Sequence, residues 1–151
     1  MLGDSVRRAA CGVIVLLASI VMCASVLQAQ EAATIPLAIR GYDPVAYFIE
    51  GRATRGAADF EHIWDGQRYR FVSDANRELF RANPLHYAPQ FEGTCAMALV
   101  LGYTDEADPE NWLINDTKLY LFRGTKGPSR FGAELSDNIN KANQTWFKLQ
   151  K

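Results

Sequence analysis

The sequence predicts one α+β domain: two β-hairpins forming an antiparallel sheet, three or four short flanking helices, and an amphipathic helix at the C-terminus. Three observations predict it. Asp65-Gly66 sits between two runs of alternating apolar and polar residues, the pattern of a tight two-residue hairpin turn. A second pair of apolar runs, Trp112-Leu113-Ile114 and Lys118 to Phe122, brackets a turn around Asn115-Asp116. Near the end, Ile139, Ala142, Trp146 and Leu149 recur at helical spacing within Ser136 to Leu149. A length of 151 residues suits one ordinary domain and is short for two well-buried ones. With 48% hydrophobic and 22% charged residues, a disordered or collagen-like chain is excluded.

The elements follow in order. Arg7 and Arg8, an uncharged apolar run from Ala9 to Val26, and Ala29 at a small-residue position have the pattern of a secretory signal peptide over residues 1–29. An uncleaved membrane anchor is the alternative, since about 18 apolar residues is the lower limit for spanning a bilayer. Cleavage removes Cys11 and Cys23 and leaves Cys95 alone, so the exported, periplasmic chain has no intramolecular disulfide to stabilise it. Residues 30–40 read as a linker with a weak strand tendency at Ile35 to Ile39, and the domain proper as residues 41–149.

Asp43 caps a short helix with Pro44 at its first position, and Gly51 stops it. In the Asp59 to Ser73 hairpin, Trp64 should oppose Gln67, His62 oppose Tyr69 and Phe60 oppose Phe71. One face then carries those aromatic and imidazole rings, and the other carries Glu61, Arg68 and Arg70. Ser73 caps a helix to Ala82 whose apolar stripe is Ala75, Leu79, Phe80 and Ala82. Asn83-Pro84 opens a further turn to Tyr87. Cys95 to Leu101 is wholly apolar, and its length fits a buried strand or a buried helix equally. Asp108-Pro109-Glu110 reads as a helix start, and Gly124 to Ser129 as a loop. No internal repeat or low-complexity tract is evident.

Charge narrows the function classes. Sixteen basic against seventeen acidic residues leave a net charge of −1, with no excess to neutralise phosphates, so a nucleic-acid partner is not expected. Asp105, Glu106, Asp108 and Glu110 lack the regular alternation of a calcium loop. The aromatics Tyr42, Tyr47, Phe48, Trp64, Tyr69, Tyr87 and Trp112 either pack a core or line a small-molecule pocket. A soft metal site would draw on Cys95, Met97 and His62, with His86 in reserve, because copper(I) accepts thiolate, thioether and imidazole. The spacing matches no zinc signature. His62, read structurally, hydrogen-bonds Tyr69 across the hairpin, and His86 is a surface or capping residue. A cysteine nucleophile after Gly93-Thr94 is a third reading, weakened because apolar surroundings quench a thiol.

The order of landmarks carries a resemblance. Gly41-Tyr42-Asp43-Pro44-Val45-Ala46-Tyr47-Phe48, Trp64-Asp65-Gly66, Tyr69-Arg70-Phe71-Val72-Ser73 and Asn76-Arg77-Glu78-Leu79-Phe80 come first. Asn83-Pro84-Leu85-His86-Tyr87-Ala88-Pro89-Gln90, Gly93-Thr94-Cys95-Ala96, Gly102-Tyr103-Thr104 and Asp108-Pro109-Glu110-Asn111-Trp112 follow, then the Asn138-Ile139 to Trp146 helix. Over residues 40–147 the chain resembles exported bacterial YHS-domain proteins. The wider family is similar to small cysteine-bearing metal modules, including those of some copper-transporting ATPases. Such modules place one Cys directly after the strand Phe and a second four residues on; the matching positions here are Val72 and Asn76, and Arg70 replaces the histidine that often precedes that Phe. The resemblance implies a non-enzymatic, exported binding domain for a soft metal ion (copper or zinc) or a small ligand near Cys95. The alternative is a structural or interaction module with a buried free thiol. No membrane partner is expected unless the leader stays attached.

Overall fold

Asp65 and Gly66 close the first hairpin where the alternation places them, both in the left-handed region at φ 49° and 71°. The computed structural model describes residues 35–151; the leader and anchor readings lie outside the described residues. Strand β1 (Ala57–Trp64) pairs antiparallel with β2 (Gln67–Phe71), Trp64 against Gln67 and His62 against Tyr69 as expected. The expected Phe60–Phe71 pair does not form. A bulge between Ala57 and Glu61 brings Ala57 opposite Phe71 instead, because an extra residue on one strand shifts every pairing beyond it. Glu61 meets Arg70 at 2.7 Å on the outer face, as the alternation requires.

The second hairpin pairs β3 (Asp108–Asn115) with β4 (Lys118–Phe122). Asp108 therefore opens a strand and not a helix, and its carboxylate accepts the Glu110 N–H at 3.0 Å. The turn lies one residue later than expected, at Asp116-Thr117, both at positive φ. The two hairpins remain separate two-stranded sheets and do not join into one.

Six helices complete the described fold: α1 (Ala46–Ile49), α2 (Asp74–Ala82), α3 (Pro84–Tyr87), α4 (Ala96–Val100), α5 (Gly127–Ala133) and α6 (Leu135–Leu149). Ser73 Oγ accepts the Asn76 N–H and caps α2. The buried stripe of α2 is Asn76 and Phe80, whereas Ala75, Leu79 and Ala82 face outward, so the apolar reading of that face was one residue out of phase. Cys95 to Leu101 resolves as a helix preceded by an extended Cys95, which bridges Leu121. The expected loop at Gly124 to Ser129 turns into α5 from Gly127, with Pro128 in its first turn, where its missing N–H costs nothing. Asn138 of α6 is buried and donates to the Phe131 carbonyl at 3.0 Å, satisfying a helix-end acceptor.

The residues Leu37–Lys151 form one unit, and most of it is one motif built twice. Leu37 makes a parallel bridge to Arg68; Pro89 makes the same bridge to Leu119. Each is followed by a 3₁₀ turn with two non-glycine residues at positive φ, Ile39 and Arg40 in one and Phe91 and Glu92 in the other, ending at Gly41 and Gly93. Asp43 N–H donates to the Thr54 carbonyl at 2.8 Å and Cys95 N–H to the Asp105 carbonyl at 2.9 Å. A short helix, a hairpin with a bulge at the same place and a second helix then follow in both halves. Tyr69, Phe71 and Phe80 recur 51 positions on as Tyr120, Phe122 and Phe131. Phe80 lies 4.7 Å from Tyr69 and 5.3 Å from Phe71, centroid to centroid; Phe131 lies 5.2 Å from Tyr120 and 5.3 Å from Phe122. The sequence shows no repeat because the copies share little besides these rings and the turn glycines.

Candidate functional site

The repeat aligns Asp43 with Cys95, and the chemistry around the two differs. In the first copy the Asp43 carboxylate is fully buried and accepts four hydrogen bonds. Oδ1 takes the Val45 and Ala46 N–H groups at 2.8 and 3.3 Å; Oδ2 takes the Val72 N–H at 2.8 Å and Asn76 Nδ2 at 2.7 Å. The bonds from Oδ1 to the chain just beyond it were legible in Asp43-Pro44, although the helix begins at Ala46 and not at Pro44; the grip on Oδ2 was not. Val72 and Asn76 are the two positions at which the metal modules of the resemblance carry cysteines. Here one gives a backbone N–H and the other a carboxamide to a structural carboxylate.

In the second copy, Cys95 Sγ accepts the Arg123 N–H at 3.3 Å, the counterpart of Val72 N–H on Asp43. Gly127 stands where Asn76 stands. A Cβ on Gly127 would fall 2.4 Å from Phe122 Cβ, so only glycine fits this approach and no side chain enters from there. Phe122 takes the place that a side chain at Gly127 would need. A cleft of about 220 Å³ lies beside Cys95, with Met97, Leu101 and Phe122 as its apolar wall and Asp105, Arg123, Lys126 and Arg130 around it. Cys95 itself is 4% exposed and forms no disulfide. Arg123 pairs with Asp105 at 2.6 Å. Lys126 and Arg130 make no ion pair among the described residues.

The sequence-proposed donors are only partly brought together. Cys95 and Met97 line the same cleft, although as a helix start and not as the strand that would have put them on one face. His62 is not among the residues lining that cleft; it stands against Phe80, ring centroids 6.2 Å apart. Its expected hydrogen bond to Tyr69 is not formed, because the facing side chain is packed on Phe80. His86 packs between Phe48 and Tyr87. Among the described residues, no three of His, Cys, Asp and Glu converge as a metal centre requires. One thiol with one thioether does not fit a zinc site. The acidic run is spent on partners: Glu106 on Arg40 at 2.7 Å, Glu110 on the Tyr42 hydroxyl at 2.8 Å. Among the described residues no helix is long and apolar enough to cross a membrane.

No protein-family model, curated protein or solved structure matches the chain.

His62 offers a pH test of this geometry. Burial against Phe80, then the nearby Arg81 and Arg77 guanidinium groups, hold its pKa below the ordinary value of 6.5, with Glu78 opposing. The folded state binds that proton less readily than the unfolded chain. Its contribution is therefore whole above pH 6.5 and is lost as the pH falls from there through the lowered folded value. Melting temperatures measured from pH 7.5 to 5.0 should fall below pH 6.5, and the fall should be shallower in His62→Gln. Identical slopes for the two chains would show that His62 is not held as described.

Proposed function

We propose that the chain is an exported, non-catalytic, YHS-like binding domain whose guest occupies the Cys95 cleft. The guest is a small molecule with an apolar body and an anionic group. The observation that supports this reading most directly is the difference between the two copies of the motif. In the first copy Asn76 donates to the central acceptor, whereas in the second no side chain reaches Cys95 from the matching Gly127 and a cleft lies beside the sulfur. Met97, Leu101 and Phe122 suit an apolar body, and Lys126 and Arg130 offer charge that nothing else among the described residues consumes. A cation entering between those basic groups would be repelled, which favours the anionic guest over a metal ion.

Native mass spectrometry and metal analysis of the purified chain test the reading together. The expected result is a small bound anion, retained at low salt and lost in Lys126→Ala/Arg130→Ala, with no stoichiometric copper or zinc. Cys95 should label at least about tenfold more slowly with a small thiol reagent than in urea, since it is almost covered. Stoichiometric copper that disappears in Cys95→Ser, or unhindered labelling with no bound anion in either chain, would overturn the proposal.

A further inference from the structure

A second cavity, lined by a different set of residues, has the opposite character. It measures about 230 Å³ and lies between the first hairpin, the turn before Thr94 and helix α6. Its aromatic wall consists of two pairs. Trp64 and Tyr69 lie 6.2 Å apart on the inner face of the hairpin, and Phe91 of the turn and Trp146 of α6 lie 5.9 Å apart. Asp65 and Glu92 supply two carboxylates at the rim, and no lysine or arginine lines the cavity. Neither carboxylate forms a salt bridge among the described residues.

Further observations describe the wall of this cavity. Tyr69 is 2% exposed, lines the cavity, and its hydroxyl takes part in no hydrogen bond among the described residues. Burial, then the charges of Asp65 and Glu92, raise that hydroxyl well above its usual range, so it stays a neutral donor in a negative field. Phe91 and Glu92, which place one ring and one carboxylate, sit at positive φ (57° and 54°) as Ile39 and Arg40 do in the first copy of the turn. Trp64 and Tyr69 were among the rings the sequence offered for a pocket; Phe91 and Trp146 were not.

We propose that this acidic, aromatic cavity binds a small organic cation of the alkylammonium class. The faces of tryptophan, tyrosine and phenylalanine rings carry negative potential and attract a cation, most strongly for tryptophan and most when water is excluded. Two unpaired carboxylates at the rim add long-range attraction of the same sign. An anionic guest is disfavoured by both. A neutral sugar could stack on the rings, yet it would draw nothing from the charge of Asp65 and Glu92.

The test uses the purified full-length chain, with tetramethylammonium and choline as probes and 3,3-dimethylbutan-1-ol as the neutral counterpart of choline. Intrinsic tryptophan fluorescence and calorimetry report binding. Saturable binding of both cations is expected, with the neutral alcohol at least about tenfold weaker. Asp65→Asn/Glu92→Gln preserves shape and removes charge at two exposed positions, and should weaken choline binding about tenfold with an unchanged circular dichroism spectrum. Trp146→Phe should weaken it by a smaller factor while leaving a ring in place. Equal binding of the alcohol and choline, binding unaffected by the charge-neutral variant, or saturation by glucose in place of the cations would each overturn the proposal.

Discussion

Replacing Asp43 by alanine is expected to lower the unfolding free energy by about 3–5 kcal/mol, the loss of a helix cap together with donors left buried and unpaired. Asp43 has no accessible surface, and its two oxygens tie together α1, the segment after β2 and the start of α2. Removing it strands the Val45, Ala46 and Val72 N–H groups and the Asn76 amide. Relief of the carboxylate's own desolvation keeps the total below the sum of four separate losses. Asp43→Asn is shape-preserving and informative: one oxygen still caps α1, but the new amide faces the Val72 and Asn76 donors, so a cost of about 2–3 kcal/mol is expected. Asn76→Ala should cost less, about 1–2 kcal/mol, because it removes one donor and leaves an acceptor with other partners. Urea unfolding followed by circular dichroism, with unchanged slope, measures all three. An Asp43→Ala chain within 1 kcal/mol of the parent would contradict the four-bond geometry.

What the sequence disclosed and what it withheld divide along physical lines. Turns and caps are local, and Asp65-Gly66, Ser73 and Asp43-Pro44 each announce a conformation through residues a few positions apart. A bulge leaves no such mark. The alternation through Phe60 continues without a break, so Phe71 was assigned the wrong partner although the face assignment of Tyr69, Glu61 and Arg70 held. The α2 stripe misled because Asn76, a polar residue, is buried to serve Asp43, while Leu79 is left 43% exposed. At the site, Cys95 and Met97 stood out by chemistry. Lys126 and Arg130 did not, for Lys126 lies in, and Arg130 directly follows, a Gly/Pro stretch that reads as a loop, and part of that stretch is helical from Gly127. The duplication was hidden for a related reason: a fold tolerates many residue choices where only backbone and burial matter, so the copies agree chiefly in Tyr69, Phe71, Phe80 and their counterparts.

That agreement makes a second substitution decisive. Phe80→Ala should cost about 3–5 kcal/mol, the range for deleting a large buried ring whose surroundings relax only in part. Phe80 is completely buried and touches four other rings: Tyr69 at 4.7 Å, Phe71 at 5.3 Å, Trp64 at 5.9 Å and His62 at 6.2 Å between centroids. Its neighbour Leu79→Ala, at a half-exposed position, should cost under about 1 kcal/mol. The sequence alone ranks the two residues as equals on one stripe, so the contrast between them discriminates the observed helix phase from the expected one. Phe131→Ala, the matching change in the second copy, should fall within about 1.5 kcal/mol of Phe80→Ala, since it empties the same place between Tyr120 and Phe122. A further consequence ties the core to the titration of His62. Burial is the largest of the causes that lower the pKa of that imidazole, and Phe80 is the ring it stands against. Without the ring the partly covered imidazole is more fully hydrated, its pKa rises toward 6.5, and the fall in melting temperature below pH 6.5 should flatten toward that of His62→Gln. A Phe80→Ala chain that is destabilised yet keeps the full acid slope would mean that the Arg81 and Arg77 charges, and not the buried ring, govern His62.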